Sequence, residues 1–129
     1  MPRPNERYFD AFSIAHATWG AIFELAGVPV PLAIGASVLF ELVENPMKRA
    51  WPSAFADDTP DAWQNSAGDV AAFAAGYALS RATRGTATGR AALVGLGAVT
   101  GALWLDAMVQ RPPALPASTT ALAGMLRRR

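Results

Sequence analysis

Residues 61–77 read DAWQNSAGDVAAFAAGY, and their spacing decides the fold. At about 100° per residue, Asp61, Asn65, Gly68, Asp69, Ala72 and Gly76 fall within roughly a quarter to a third of a helix circumference. Trp63, Val70 and Tyr77 lie on the opposite side. Small and acidic residues share one face, and bulky residues share the other. A helix built this way packs closely on its neighbours around a polar site and turns its bulk to lipid.

Two further apolar stretches carry polar stripes of the same kind. Ser13, His16, Gly20 and Glu24 form one; Ser37, Glu41, Glu44 and Asn45 form the other. Ionisable groups inside apolar helices are expensive, so they face a bundle interior and mark a functional site.

Composition sets the class. The 129 residues amount to one domain, with 52% hydrophobic and only 16% charged side chains, against about 25% charged in soluble proteins. That deficit argues for a membrane protein, although abundant Ala and Gly keep the mean hydropathy at +0.20. A net charge of +1, without a basic patch interleaved with aromatics, argues against a nucleic-acid partner. The absence of cysteine excludes disulfides, thiolate catalysis and cysteine metal sites. No phosphate-cradling glycine loop, paired-His zinc motif or recognisable nucleophile setting is present.

The expected fold is all-α: an integral membrane bundle of about four helices, the second short, in a single domain over 1–129. Helices are expected at 8–26, ended by Gly27 with Pro29 and Pro31 beyond, and at 31–45, ended by Pro46. A third is expected at 60–84, with Thr59 as N-cap and Pro60 at the first helical position, and a fourth at 86–110, closed by Pro112 and Pro113. A short basic tail follows at 117–129. The first segment outlines a signal peptide, but His16 interrupts its apolar region and Glu24 stands where a cleavage site needs a small residue, so it reads as a retained helix. An Ala-rich soluble four-helix bundle is the rival fold. Against it, charge clusters at segment ends and on single faces rather than along whole outer faces. Lys and Arg in the flanks favour both termini inside, despite Arg81, Arg84 and Arg90 on the other side. Lys48, Arg49, Trp51, Phe55 and Trp63 read as interfacial anchors.

At about 1.5 Å per residue, His16 and Asp69 sit at one level, roughly 12 Å along their helices. Glu41 and Asn65 share a shallower level, Glu44 lies at the inner rim and Asp61 at the mouth, while Glu24 belongs to a different environment. The candidate constellation is His16, Glu41, Glu44, Asp61, Asn65 and Asp69. So many carboxylates around one imidazole in a low-dielectric bundle require shared protons, a divalent cation or water. His with carboxylates suits zinc, iron or manganese; carboxylate with an Asn carbonyl suits magnesium or calcium. His16, Glu41 and Asp69 are the candidate metal ligands, with Glu44 or Asp61 as general base in a hydrolytic reading. A Ser13–His16–Asp10 triad on one helix has poor geometry. Asp57 and Asp58 read as loop charges, and Asp106 fits either the cluster or the interface.

Phe40-Glu41-Leu42-Val43-Glu44-Asn45, then residues 61–69 and Gly76-Tyr77, resemble the core of VanZ-like small membrane proteins and related bacterial inner-membrane families. The resemblance covers about His16 to Tyr77. It matches His16, Glu41, Glu44, Asp61, Asn65 and Asp69 by position; the acidic residue close before the first-helix His is not matched, since Asp10 lies further upstream. It implies a bacterial inner-membrane location and an envelope role, but no reaction. Three functions are then in play. One is a cavity that holds a cation or a polar lipid head group. Another is a metal-dependent membrane hydrolase or transferase acting on a lipid-linked substrate. The third is a structural subunit, with Gly97, Gly101 and the Gly68–Ala72–Gly76 face serving partner helices, including those of a second copy.

Overall fold

The structure, a computed structural model, describes residues 4–55 and 59–110. The basic tail at 117–129, together with Arg3, Arg111, Asp57 and Asp58, lies outside them. Among the described residues there are four α-helices and no strand: α1 (Ser13–Leu25), α2 (Val30–Ala50), α3 (Trp63–Thr83) and α4 (Ala87–Gln110). Short 3-10 turns occupy Pro4–Glu6 and Pro52–Ala54.

Local chemistry sets each boundary, and three differ from the sequence expectation by more than one residue. The first helix starts five residues later than position 8, because Asp10 caps it. Asp10 Oδ1 accepts the amides of Phe12 and Ser13, and Ser13 Oγ accepts the amide of Asp10, a reciprocal capping box. The second helix, expected to be short, does not stop at Asn45 but carries Pro46 inside it and runs to Ala50, so that its 21 residues exceed the 13 of α1. The residues on either side of the proline are held to the segment before α3, which offsets the lost backbone bond. The third helix begins at Trp63 rather than position 60. Asn45 Oδ1 accepts the Asp61 amide and Asn45 Nδ2 donates to the Asp61 carbonyl, while the Ala62 amide donates to the Asn5 carbonyl. These bonds keep residues 60–62 out of the helix.

Gly27 ends α1 with φ of 74°; its amide donates to Glu24 O and that of Val28 to Phe23 O, a Schellman turn. Val28 and Phe23 pack on Ala33, Phe73 and Tyr77, so the turn that reverses the chain also seals one end of the core. Gly85, at φ 79°, reverses it again before α4, whose first turn is capped by Thr86 Oγ1 on the Gly89 amide.

α1 and α3 form the central pair. A Cβ on Gly20 would overlap the Phe73 carbonyl, one on Gly76 the Ala17 carbonyl, and one on Gly68 the Tyr8 carbonyl. The small face of α3 therefore packs on α1 and on the segment that leads into it. Gly97 and Gly101 meet no atom within 4 Å. α4 joins through Thr18, whose hydroxyl is 2.8 Å from Thr100 Oγ1. Tyr77, expected on the lipid side of α3, is buried and donates its hydroxyl to Val28 O, because the α1–α2 turn folds over that flank.

The buried set is more polar than apolar: Ser13, Ser37, Glu41, Glu44, Lys48, Asn65, Asp69 and Ser80 are inside. Leu32, Leu42, Val94, Leu105 and Val109 point outward, each about two-thirds exposed or more. α2 and α4 are long and apolar enough to cross a membrane.

Candidate functional site

The stripes on α1, α2 and α3 meet. His16 lies between two carboxylates, with Nδ1 3.4 Å from Glu41 Oε1 and Nε2 3.7 Å from Asp69 Oδ2. Ser13, one turn earlier on α1, donates to Asp69 Oδ1 at 2.5 Å and fixes that carboxylate. One ligand atom from each of His16, Glu41 and Asp69 fits within a cluster 4.8 Å across. Around a zinc-sized ion such atoms stand about 3.3 Å apart. The two carboxylates face opposite ring nitrogens of His16, so an ion held by one nitrogen would need the far carboxylate to reach across the ring edge.

Glu41 is the least satisfied member. Its side chain is 5% exposed, and neither carboxylate oxygen has a hydrogen-bond partner. Ser66 faces it from α3 but outside hydrogen-bonding geometry. Glu41 thus stands opposite Ser66, next to Asn65 on α3, near the level expected, and also reaches His16. Because α2 continues a turn past Pro46, Asn45 meets the start of α3. Asn65 donates to Arg7 O at 3.2 Å and to Asp10 Oδ2 at 3.4 Å.

A second cluster forms the mouth. Lys48 Nζ is 3.1 Å from Glu44 Oε1 and 2.5 Å from Asp61 Oδ2, and Asn5 Nδ2 donates to Asp61 Oδ1 at 2.8 Å. Lys48 is therefore a buried counter-ion, not a snorkelling anchor; the exposed Trp51 and Trp63 keep that outward placement. Glu44 and Asp61, both engaged by Lys48, are poorly placed to serve as a free general base.

No family model, curated protein or solved structure matches this chain. The VanZ-like resemblance rests on the residues quoted above alone.

Both clusters line one cavity of about 540 Å³. Facing it are four carboxylates, Asp10, Glu44, Asp61 and Asp69, against the single ammonium of Lys48, while Glu41 stands behind His16 and outside the wall. Glu24 stands apart, as its position implied: it accepts from Ser80 at 2.8 Å and pairs with Arg84 at 2.6 Å, closing the far end of α1. Asp106 is exposed and accepts from Gln110, outside the cluster. Sequence reasoning missed Asn5 and the site roles of Asp10 and Lys48. Lys48 was detectable, since Ser37, Glu41, Glu44 and Lys48 are spaced along one helical face. Asp10 was detectable from its spacing to Ser13. Nothing in the sequence around Asn5 marks it.

Proposed function

We propose that this chain is a polytopic membrane protein that binds a divalent cation at His16, Glu41 and Asp69, in a cavity reached from the side that carries its N-terminus. The observation that carries the reading is the buried Glu41 carboxylate without a hydrogen-bond donor on either oxygen. Burying an uncompensated carboxylate costs several kcal/mol, about 3–5 where one partner of a buried pair is lost. An ion shared with His16 and Asp69 removes that cost. The ligand set, nitrogen with carboxylate oxygens, suits zinc, iron or manganese.

Membrane insertion is supported by the outward apolar faces of α2 and α4, with the polar groups gathered inside. Lys and Arg in the flanks favour the N-terminus and the cavity mouth on the inner side. The resemblance to VanZ-like proteins extends this to a bacterial inner membrane and an envelope role.

One observation favours a catalytic version. Three protein ligands leave coordination positions open, and two of the three, His16 and Asp69, line the cavity. A metal-bound water at such a position is the nucleophile of a hydrolase.

Elemental analysis of the purified protein beside a Glu41→Ala variant tests the cation site. A stoichiometric transition metal that disappears in the variant supports it. A folded wild-type protein that takes up no metal when supplied with zinc, iron or manganese overturns it.

A further inference from the structure

The cavity changes character along its length. Toward its mouth it holds the charged groups, with Asp10, Glu44, Lys48 and Asp61 set among Phe12, Met47 and Phe55. Beyond His16 and Asp69 it is walled by Trp19 and Phe23 of α1, Phe40 of α2 and Phe73 of α3. Within that apolar end stands Ser37, one helical turn beyond Glu41. It is 5% exposed, lines the cavity and has no hydrogen-bond partner. A buried hydroxyl without a partner costs about 1–3 kcal/mol, so an occupant with its own hydroxyl or carbonyl is favoured there. The cavity is of the size that takes a small molecule, about 300–1,000 Å³.

Charge narrows the occupant. Lys48 is bound on both sides, by Glu44 and Asp61, and the remaining wall is acidic. In the ion-free cavity a phosphate or carboxylate would meet the carboxylates of Asp10 and Asp69 with no free cation beside it. An uncharged oxygen-bearing end avoids that repulsion, hydrogen-bonds Ser37 and completes the shell of an ion held by His16, Glu41 and Asp69.

We propose that the cavity binds a single-chain neutral amphiphile, of the monoacylglycerol or fatty-alcohol class. Its chain lies against Trp19, Phe23, Phe40 and Phe73, and its oxygen-bearing end sits between Ser37 and the His16 cluster. Binding of the chain rests on the cavity alone; contact of the polar end with an ion rests on the cation site proposed above.

The test uses the full chain in phosphatidylcholine nanodiscs and a monoacylglycerol with a brominated chain, read by tryptophan quenching. Saturable quenching that is reduced in Trp19→Phe and lost when Trp104→Phe is added is expected, since both tryptophans line the cavity. On chelator-stripped protein, a brominated fatty acid and a brominated lysophosphatidate of equal chain length should bind at least about tenfold more weakly than the monoacylglycerol. Ser37→Ala should weaken the monoacylglycerol several-fold, and Ser37→Leu, which fills the site, should abolish saturation. Anionic probes that bind the stripped protein as tightly as the neutral one overturn the proposal. So does quenching that never saturates, or that Trp19→Phe leaves unchanged. Repeating the titration on chelator-stripped protein separates the two readings. Saturable quenching by a protein that takes up no metal sinks the cation site and leaves the amphiphile site standing.

Discussion

The Lys48 ammonium is held between the carboxylates of Asp61, at 2.5 Å, and Glu44, at 3.1 Å, with 5% of its side chain exposed. The contact joins the last turn of α2 to the segment before α3, past the break that Pro46 makes in the backbone ladder. Removing the ammonium leaves two buried carboxylates facing each other. Lys48→Met should therefore cost about 3–5 kcal/mol, enough to lower the thermal midpoint in detergent by more than about 10 °C. Adding Glu44→Gln and Asp61→Asn to that variant should restore most of the loss. An unchanged midpoint in Lys48→Met would show that the pair is solvated rather than buried.

The cation site makes a graded prediction. Glu41→Gln and Asp69→Asn each remove a charged ligand and should abolish stoichiometric metal. Ser13→Ala keeps all three ligands but frees the Asp69 carboxylate from its 2.5 Å hydroxyl donor. Orienting groups of this kind are worth about 10–100-fold in metal affinity, so Ser13→Ala should bind metal that much more weakly, as read by competition with a calibrated chelator. Equal affinity in Ser13→Ala and wild type would mean that Asp69 does not ligate.

Close packing of α1 on α3 depends on Gly20 and Gly76, where an added Cβ would run into opposing backbone that has no rotamer to move. Gly20→Ala and Gly76→Ala should each destabilise the fold by about 1–3 kcal/mol through overpacking. Gly97→Ala and Gly101→Ala, where the new methyl meets open space, should be neutral or slightly stabilising through helix propensity. Thermal melts of the four variants side by side provide the comparison, and equal losses in all four would count against it.

The stripes were legible because period and residue type coincide. Charges three and four apart in apolar surroundings have one inexpensive place to go, and His16, Glu41 and Asp69 went there. Levels along the helices were more legible than their ends. His16 and Asp69 sit level as counted and Glu41 faces Ser66 beside Asn65, whereas the end of α2 runs a turn beyond the stop expected at Pro46. A proline ends a helix by default, yet here Asn45 and Lys48 flank it with side-chain bonds to Asp61 and Thr59. Those partners lie 11–16 residues away, and no local pattern announces them. Tyr77 was misread for a related reason: its face is set by the α1–α2 turn that covers it, which helix periodicity does not contain.

α4 carries the clearest test of the membrane reading. Its 24 residues include no buried side chain in their most apolar window, and Val94, Leu105, Met108 and Val109 all point outward. In water such a helix would be an exposed apolar surface far larger than a monomer tolerates; in lipid it is a spanning helix of ordinary length. Val99 lies near its middle and is 44% exposed. Val99→Asp should cost about 2.5–3.5 kcal/mol at the helix centre, whereas Gln110→Asp, at the end, should cost little. With a reporter fused after residue 110, wild type and Gln110→Asp should place that point on the same side as the N-terminus and resist alkaline extraction. Val99→Asp should place a large fraction on the opposite side. Recovery of the wild-type chain in the soluble fraction after alkaline extraction would return the fold to the Ala-rich soluble bundle. The outward face of α4 would then need a protein partner in place of lipid.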